Sequence, residues 1–277
     1  MFNITKDSTG KSSGSWINPV ENIKKTPADT PKAVYDLEYP EKHIIIDTQI
    51  GSAFDKEGCT KAIVAIKKNN PSFDVEIAKA FFTLAPKYQI DPMRAISQSI
   101  LETGWFKFVG SSVKPEQHNY CGLGATGGGV AGAAFDTIQD GVRAQLQHLY
   151  AYGCKDALPA DEEVIDPRFK YVTRGIAPYW EQLAGRWAYP GFDGDDPVKA
   201  VQNGTTYGQK IDKIFNQLQQ TSVSSADVAT YFQTEQDKTT PTPTPVDPEE
   251  KLDVKKVSFV LELLKNVLKF ILSWFKK

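Results

Sequence analysis

Glu102 is the residue whose setting most invites chemistry. It stands in Gln98-Ser-Ile-Leu-Glu-Thr-Gly-Trp-Phe106, and helical spacing from Met93 puts it at the end of a helix that opens onto a Gly-Trp turn. A carboxyl beside Trp105 and Phe106 loses hydration, which disfavours its charged form and raises its pKa. An acid still protonated near neutral pH is what protonation of a glycosidic oxygen requires. Spacing alone leaves an alternative, a solvated glutamate in a last helical turn.

Glycosidases commonly use a second carboxylate. Glu116, Asp136 and Asp140 follow Glu102 in the chain. Asp136 opens a helix three residues before Gln139, a capping-box spacing, and reads as a cap. Glu116 lies on a Gly-rich excursion that would bring it to a cleft, and is the better catalytic candidate. His118 borders Asn119 and is a candidate substrate contact, whereas His148 lies on a helix and reads as packing or solvated. Trp105, Trp180 and Trp187 offer planes for sugar C–H faces; core burial competes for each and is favoured for Trp187. Gly127-Gly-Gly129 lacks the Gly-Lys-Ser/Thr of a phosphate loop and suits a tight hairpin or close sugar approach. With no C-x-x-C or H-x-x-H pair, a zinc site has no support in the sequence, and the glycosidase reading implies no metal or organic cofactor.

The elements that must position these residues are mostly helical. Residues 43–47, with three isoleucines, suggest a short strand. Residues 60–69 suggest a helix, and Asp74 caps another on which Ile77, Phe81 and Leu84 share a face. Asp91-Pro92 opens the helix that carries Glu102, with Met93, Ile96, Ile100 and Leu101 toward a core. Residues 105–134 show no helical period, 136–152 do again, and a final helix spans about 206–220. Of the 277 residues, 40% are hydrophobic and 24% charged, which excludes a wholly disordered, collagen-like or membrane-embedded chain. A net charge of −2 gives no basic excess for nucleic acid. Three cysteines are too few for a disulfide scaffold, and no sequence rule decides whether Cys121 and Cys154 pair.

Ser99-Ile-Leu-Glu102-Thr-Gly-Trp resembles the catalytic helix end of the glucosaminidase family of peptidoglycan hydrolases. The likeness continues in order through Asn119-Tyr-Cys-Gly122-Leu123, Phe135-Asp-Thr137, Leu183-Ala-Gly-Arg-Trp-Ala188 and Tyr207-Gly-Gln-Lys-Ile211, over about residues 74–220. It implies a lysozyme-like α+β fold, mostly helical, with a Gly-rich β/loop lobe. It implies Glu102 as acid/base, Asn119 and Gly122 in the turn after the catalytic helix, and Tyr207 as a cleft tyrosine, with packing at a helix start as the alternative for Tyr207; the residues themselves add Glu116 as a further catalytic candidate and Trp105 and His118 toward substrate. Where no second acid serves, the 2-acetamido group of GlcNAc acts as nucleophile and Tyr207 would orient it. The implied substrate is the β-1,4 bond between GlcNAc and MurNAc, and the implied partner is the peptidoglycan glycan strand. A lytic transglycosylase or muramidase is the nearest rival, although Asn119–Leu123 departs from its Gly-Leu-Met-Gln type of segment. A wall-binding or virion structural protein is the rival of a different class.

The expected organisation is a flexible arm over 1–42, a catalytic domain over 43–220, a Thr/Pro-rich linker over 221–250 and a basic amphipathic helix over 251–277. Val254–Lys277 carries six lysines and one glutamate, with 14 apolar residues in 24. Those lysines argue against a spanning helix and suit an anionic membrane surface. A 4-3 seam through Val257, Leu261, Leu264, Leu268, Ile271 and Phe275 offers self-association instead, and docking on the body is a third reading. Met1–Gly14 is polar and lacks the apolar stretch of a signal peptide. The expectation is a phage lysin reaching the wall after holin-type release or on a virion, with unconventional export of a bacterial autolysin left open.

Overall fold

The computed structural model describes residues 32–125 and 130–232, together with the backbone of 2–6 and 12–16. Strands β1 (Phe2–Lys6) and β2 (Ser12–Trp16) form an antiparallel pair in which Phe2 faces Trp16 and Ile4 faces Gly14. Seven α-helices follow among the described residues: α1 (Lys56–Asn69), α2 (Val75–Leu84), α3 (Pro92–Thr103), α4 (Ile138–Gly153), α5 (Pro197–Gln202), α6 (Tyr207–Gln219) and α7 (Ser225–Phe232). Their starts follow capping chemistry, because a side-chain oxygen satisfies N–H groups that have no partner within the helix. Asp55 accepts from Gly58 N at 2.9 Å, and Asp74 accepts from Glu76 N at 3.0 Å. Asp91 accepts from Met93 N and Arg94 N at 2.8 and 3.2 Å, with Pro92 as the first helical residue. Thr206 and Gln209 close a capping box at α6. At α4 the cap is Thr137, whose hydroxyl accepts from Asp140 N at 3.1 Å, and not Asp136, which is exposed.

Helix α3 is the buried axis of the fold, packed on α1, α2 and α6. Met93, Ile96 and Ile100 are buried as their spacing predicts, but so are Arg94, Ser97, Gln98 and Ser99 on the polar side. These polar groups survive burial because each has a partner. Ser97 Oγ donates to Met93 O at 2.6 Å, and the Arg94 guanidinium meets Asp212 of α6 at 2.6 Å. Apolar packing continues through Phe81, Ile63, Leu146 and Trp180, all fully buried. Each such side chain contributes roughly 1.5–3 kcal/mol against exposure.

Three boundaries differ from the sequence reading. The arm expected over 1–42 is already part of the body from about residue 34. Val34 and Tyr39 are buried, and the 3-10 turn Val34–Asp36 packs on the 3-10 turn Trp180–Leu183. Residues 43–47 form no strand; one bridge joins Ile44 to Tyr179, with Ile45 N donating to Pro178 O at 2.8 Å. Burial of Ile45, not sheet pairing, uses this β-branched run. The linker expected from 221 holds α7, which packs on α1, while Phe232 meets Phe54, just ahead of α1, with ring centroids 5.4 Å apart.

The lobe between α3 and α4 contains no strand among the described residues. It is loop and 3-10 turn, tied by Ala133 N to Leu123 O at 2.7 Å and Phe135 N to Gln117 O at 2.9 Å. Gly127–Gly129 and the whole of 233–277, including the Thr/Pro run and the amphipathic segment over 251–277, lie outside the described residues. No helix among the described residues is long and apolar enough to cross a membrane.

Candidate active site

Glu102 is the penultimate residue of α3, and the chain turns sharply after it. Gly104, Trp105 and Phe106 take φ of 59°, 63° and 58° in succession. Glycine adopts this left-handed backbone freely, but two aromatic residues there must be held. Asn70 holds them, its Nδ2 donating to Trp105 O at 3.3 Å and Phe106 O at 3.1 Å. Thr103 Oγ1 also accepts from Phe106 N at 2.8 Å. The turn sends Phe106 into the core against Phe73 and Tyr120, and leaves Trp105 half-buried.

The Glu102 carboxyl meets two donors from distant parts of the chain. The Tyr207 hydroxyl, on the first residue of α6, donates to Oε1. The second is Trp187, whose side chain lies near enough to lower the carboxyl's pKa. Burial pushes the Glu102 pKa from the ordinary 4.5 up to about 7, against the pull of Tyr207 and Trp187. Near neutral pH a large fraction therefore keeps its proton. Tyr207 is pushed well above the ordinary tyrosine range by burial and by the charge of Glu102, so its hydroxyl stays protonated as a donor. Cys121 is likewise raised, by burial first and then by the charges of Glu102 and Asp166, and remains a thiol. All three cysteines, each among the described residues, are free.

Packing fixes both donors. Tyr207 N donates to Gly191 O at 2.7 Å, and the next residue must be glycine, since a Cβ at 208 would come within 2.5 Å of Glu181 Cα. Trp187 stands edge-to-face with His148 at 4.8 Å and tilted against Tyr152 at 5.8 Å. His148 of α4 is itself paired through Nδ1 with the buried Asp166 at 2.7 Å. Trp187, read from sequence as core, is thus half-buried and in the site.

The remaining candidates fall in several places. Glu116 is exposed on the 3-10 turn Pro115–Gln117, and no hydrogen bond joins it to Glu102, Tyr207 or Trp187 among the described residues. Asp136 is exposed, and Asp140 accepts from the Thr137 hydroxyl at 2.7 Å and lies 3.6 Å from Arg143. Asn119 is buried and fully engaged with backbone. Its Nδ2 donates to Leu123 O and Ala133 O, and its Oδ1 accepts from Leu123 N, so it pins the loop that carries Cys121 and Gly122. Gly122 has φ +69° with open space around its Cα. His118 is half-buried with Nδ1 2.9 Å from Phe135 O. Sequence reasoning passed over Gln98 and Gln145; Gln145 is a polar residue on the apolar face of α4, which was the available signal, whereas Gln98 lies on the polar side of α3 and gave none.

Among the described residues, Glu41, His43 and Asp212 bring three donor atoms within 4.8 Å of one another. Arg94 already neutralises Asp212, and His43 Nδ1 is bonded to Glu181 at 2.7 Å. The cluster is an ion-pair network joining α3, α6 and the 3-10 turn at Trp180.

A helix-end carboxyl of raised pKa, bonded to a phenol and set beside an indole, makes a general-acid site of the kind glycosidases use. Residues 78–220, just over half of the chain, match the glucosaminidase family model, described as mannosyl-glycoprotein endo-beta-N-acetylglucosaminidase, and the chain belongs to this family of peptidoglycan hydrolases. An uncharacterized protein of Borreliella burgdorferi (strain ATCC 35210 / DSM 4680 / CIP 102532 / B31) is 44% identical over 94 residues, 34% of this chain and 45% of the relative. The chain therefore matches less than half of that relative's length. No solved structure matches the chain.

Proposed function

We propose that the protein is an endo-β-N-acetylglucosaminidase that cleaves the β-1,4 bond between GlcNAc and MurNAc in peptidoglycan, with Glu102 as acid/base. The observation that carries this reading is the Glu102 carboxyl at the end of α3, accepting the Tyr207 hydroxyl in a setting whose burial raises its pKa. In the first step Glu102 gives its proton to the glycosidic oxygen as the C–O bond breaks. The carboxylate that results is stabilised by the same two donors, which need no reorientation. It then accepts a proton from the attacking water. Glu116 and Asp136 are exposed and Asp140 is engaged by Thr137 and Arg143, and this reading takes the 2-acetamido oxygen of GlcNAc as the nucleophile at C1. Since the Tyr207 hydroxyl is committed to Glu102, its role in this scheme is to tune the acid, not to orient the acetamido group.

A single engaged carboxyl also suits a lytic transglycosylase, where the 6-hydroxyl of MurNAc closes on C1. Digestion of purified peptidoglycan followed by mass spectrometry of the muropeptides separates the two. Reducing-end GlcNAc is expected; anhydro-muramic acid would overturn the specificity and keep Glu102 as the acid. The proposal extends to a lysin role at the bacterial wall, with residues 254–277 engaging an anionic membrane surface through their six lysines.

A further inference from the structure

Between α3 and α4 runs a file of buried polar side chains that apolar residues of similar size would otherwise fill. Gln98 and Ser99 of α3 and Gln145 of α4 are all fully buried. Ser99 Oγ donates to Gln145 Oε1 at 2.8 Å, and Gln145 Nε2 donates to Gln98 Oε1 at 2.9 Å. Gln98 Nε2 donates to the Tyr207 hydroxyl oxygen at 3.0 Å, and that hydroxyl donates to Glu102 Oε1. Every bond in the file points toward Glu102. Turning either amide would reverse the order, but one fixed acceptor prevents it. Gln145 Nε2 also faces the carbonyl oxygen of Ala95 at 3.2 Å, which can only accept. Gln145 must therefore present its NH2 group to Gln98, and Gln98 must present its own to Tyr207. The phenol oxygen, already accepting, has its proton left for Glu102.

We propose that Gln98 and Gln145 are positioning residues that lock the Tyr207 hydroxyl as a donor to Glu102 Oε1, leaving Oε2 as the oxygen that carries and delivers the acid proton. This rests on the reading of Glu102 as the general acid, yet the lock itself is measurable without turnover. Donors aligned before reaction stabilise the carboxylate with no reorganisation. Without Gln145, the Gln98 amide is free to turn and offer its oxygen to Tyr207. The phenol then donates to Gln98, and Glu102 loses its bond.

The titratable groups facing Glu102 are Tyr207 from α6 and Cys121 from the loop before α4, with the Asp166–His148 pair beyond Cys121 and Trp187. The substituted glutamines do not titrate, so a shift reports the bond. In the full-length chain, carboxyl-carbon NMR follows Glu102, assigned by its loss in Glu102→Gln, in parallel with the pH profile of kcat/KM. Gln145→Leu is expected to raise the Glu102 midpoint by about one pH unit, the effect of losing one hydrogen bond to the charged form. The alkaline limb of kcat/KM should follow it upward. In a Tyr207→Phe background the same substitution should add nothing, because the lock acts only through the hydroxyl. An unchanged midpoint, or an equal shift in both backgrounds, overturns the proposal. Gln145→Met, flexible and apolar, serves if the leucine variant does not fold. A midpoint that moves while the pH profile stays put upholds the lock and overturns Glu102 as the acid.

Discussion

Replacing Glu102 by Gln should remove activity and at the same time stabilise the fold, by a margin that opens above about pH 4.5 and is complete above about pH 7. The carboxyl titrates near 4.5 in an ordinary setting and at about 7 in the folded site. Below about 4.5, folded and unfolded chains both hold the proton, and the group contributes nothing to pH dependence. Between the two values the folded chain binds more protons than the unfolded one, so stability falls as pH rises. Above 7 both forms are ionised and the full penalty of a buried carboxylate remains. The shift corresponds to about 3 kcal/mol, an upper bound because Glu102 keeps some exposure to solvent. Gln has nearly the same shape, accepts the Tyr207 hydroxyl through its carbonyl, and carries no charge. The variant should therefore melt several degrees higher than the parent at pH 8 and at nearly the same temperature at pH 4.5. Hydrolysis of purified peptidoglycan should fall by about 10²–10⁴-fold, the usual worth of general acid–base catalysis. Thermal unfolding of both proteins at half-unit steps of pH measures the first effect directly. A melting difference that is independent of pH, or that favours the parent at pH 8, would refute the reasoning about burial. Retention of more than about a tenth of the activity would remove Glu102 from the mechanism.

Trp187→Phe keeps the ring packing on His148 and Tyr152 but removes the indole N–H; the alkaline limb of kcat/KM should move upward, as the donor that pulls the Glu102 pKa down is lost, and an unmoved limb would exclude Trp187 as that donor. Asn119→Ala orphans Leu123 N, a buried donor, and urea unfolding should show a loss of about 1–3 kcal/mol; unchanged stability with a raised KM would instead make Asn119 a substrate contact. Deleting residues 251–277 should leave hydrolysis of lipid-free peptidoglycan nearly unchanged and weaken lysis of intact cells. The isolated tail should become helical on anionic vesicles, less so as salt rises, and a tail already helical in buffer and indifferent to lipid would exclude the membrane role.

Local signals were enough to place the acid on its helix. Asp91-Pro92 starts α3 and Gly104 ends it through contacts only a few residues apart, so the register that puts Glu102 at the helix end is legible in the residues alone. Capping chemistry, apolar spacing and motif order are all short-range terms. The environment of the acid is different in kind. From the sequence, Trp105 and Phe106 were expected to desolvate Glu102, but the left-handed turn after Thr103 rotates Phe106 into the core. Trp187 and Tyr207, 85 and 105 residues along the chain, close around the carboxyl instead. Gln145 shows the same limit: its place between Val142 and Leu149 on the apolar face of α4 marks it for burial, but only the packing of α4 beside α3 makes it a donor to Gln98. Hydrogen-bond direction and proton affinity depend on which groups exclude water and which donors remain in reach, and those are decided when distant helices meet.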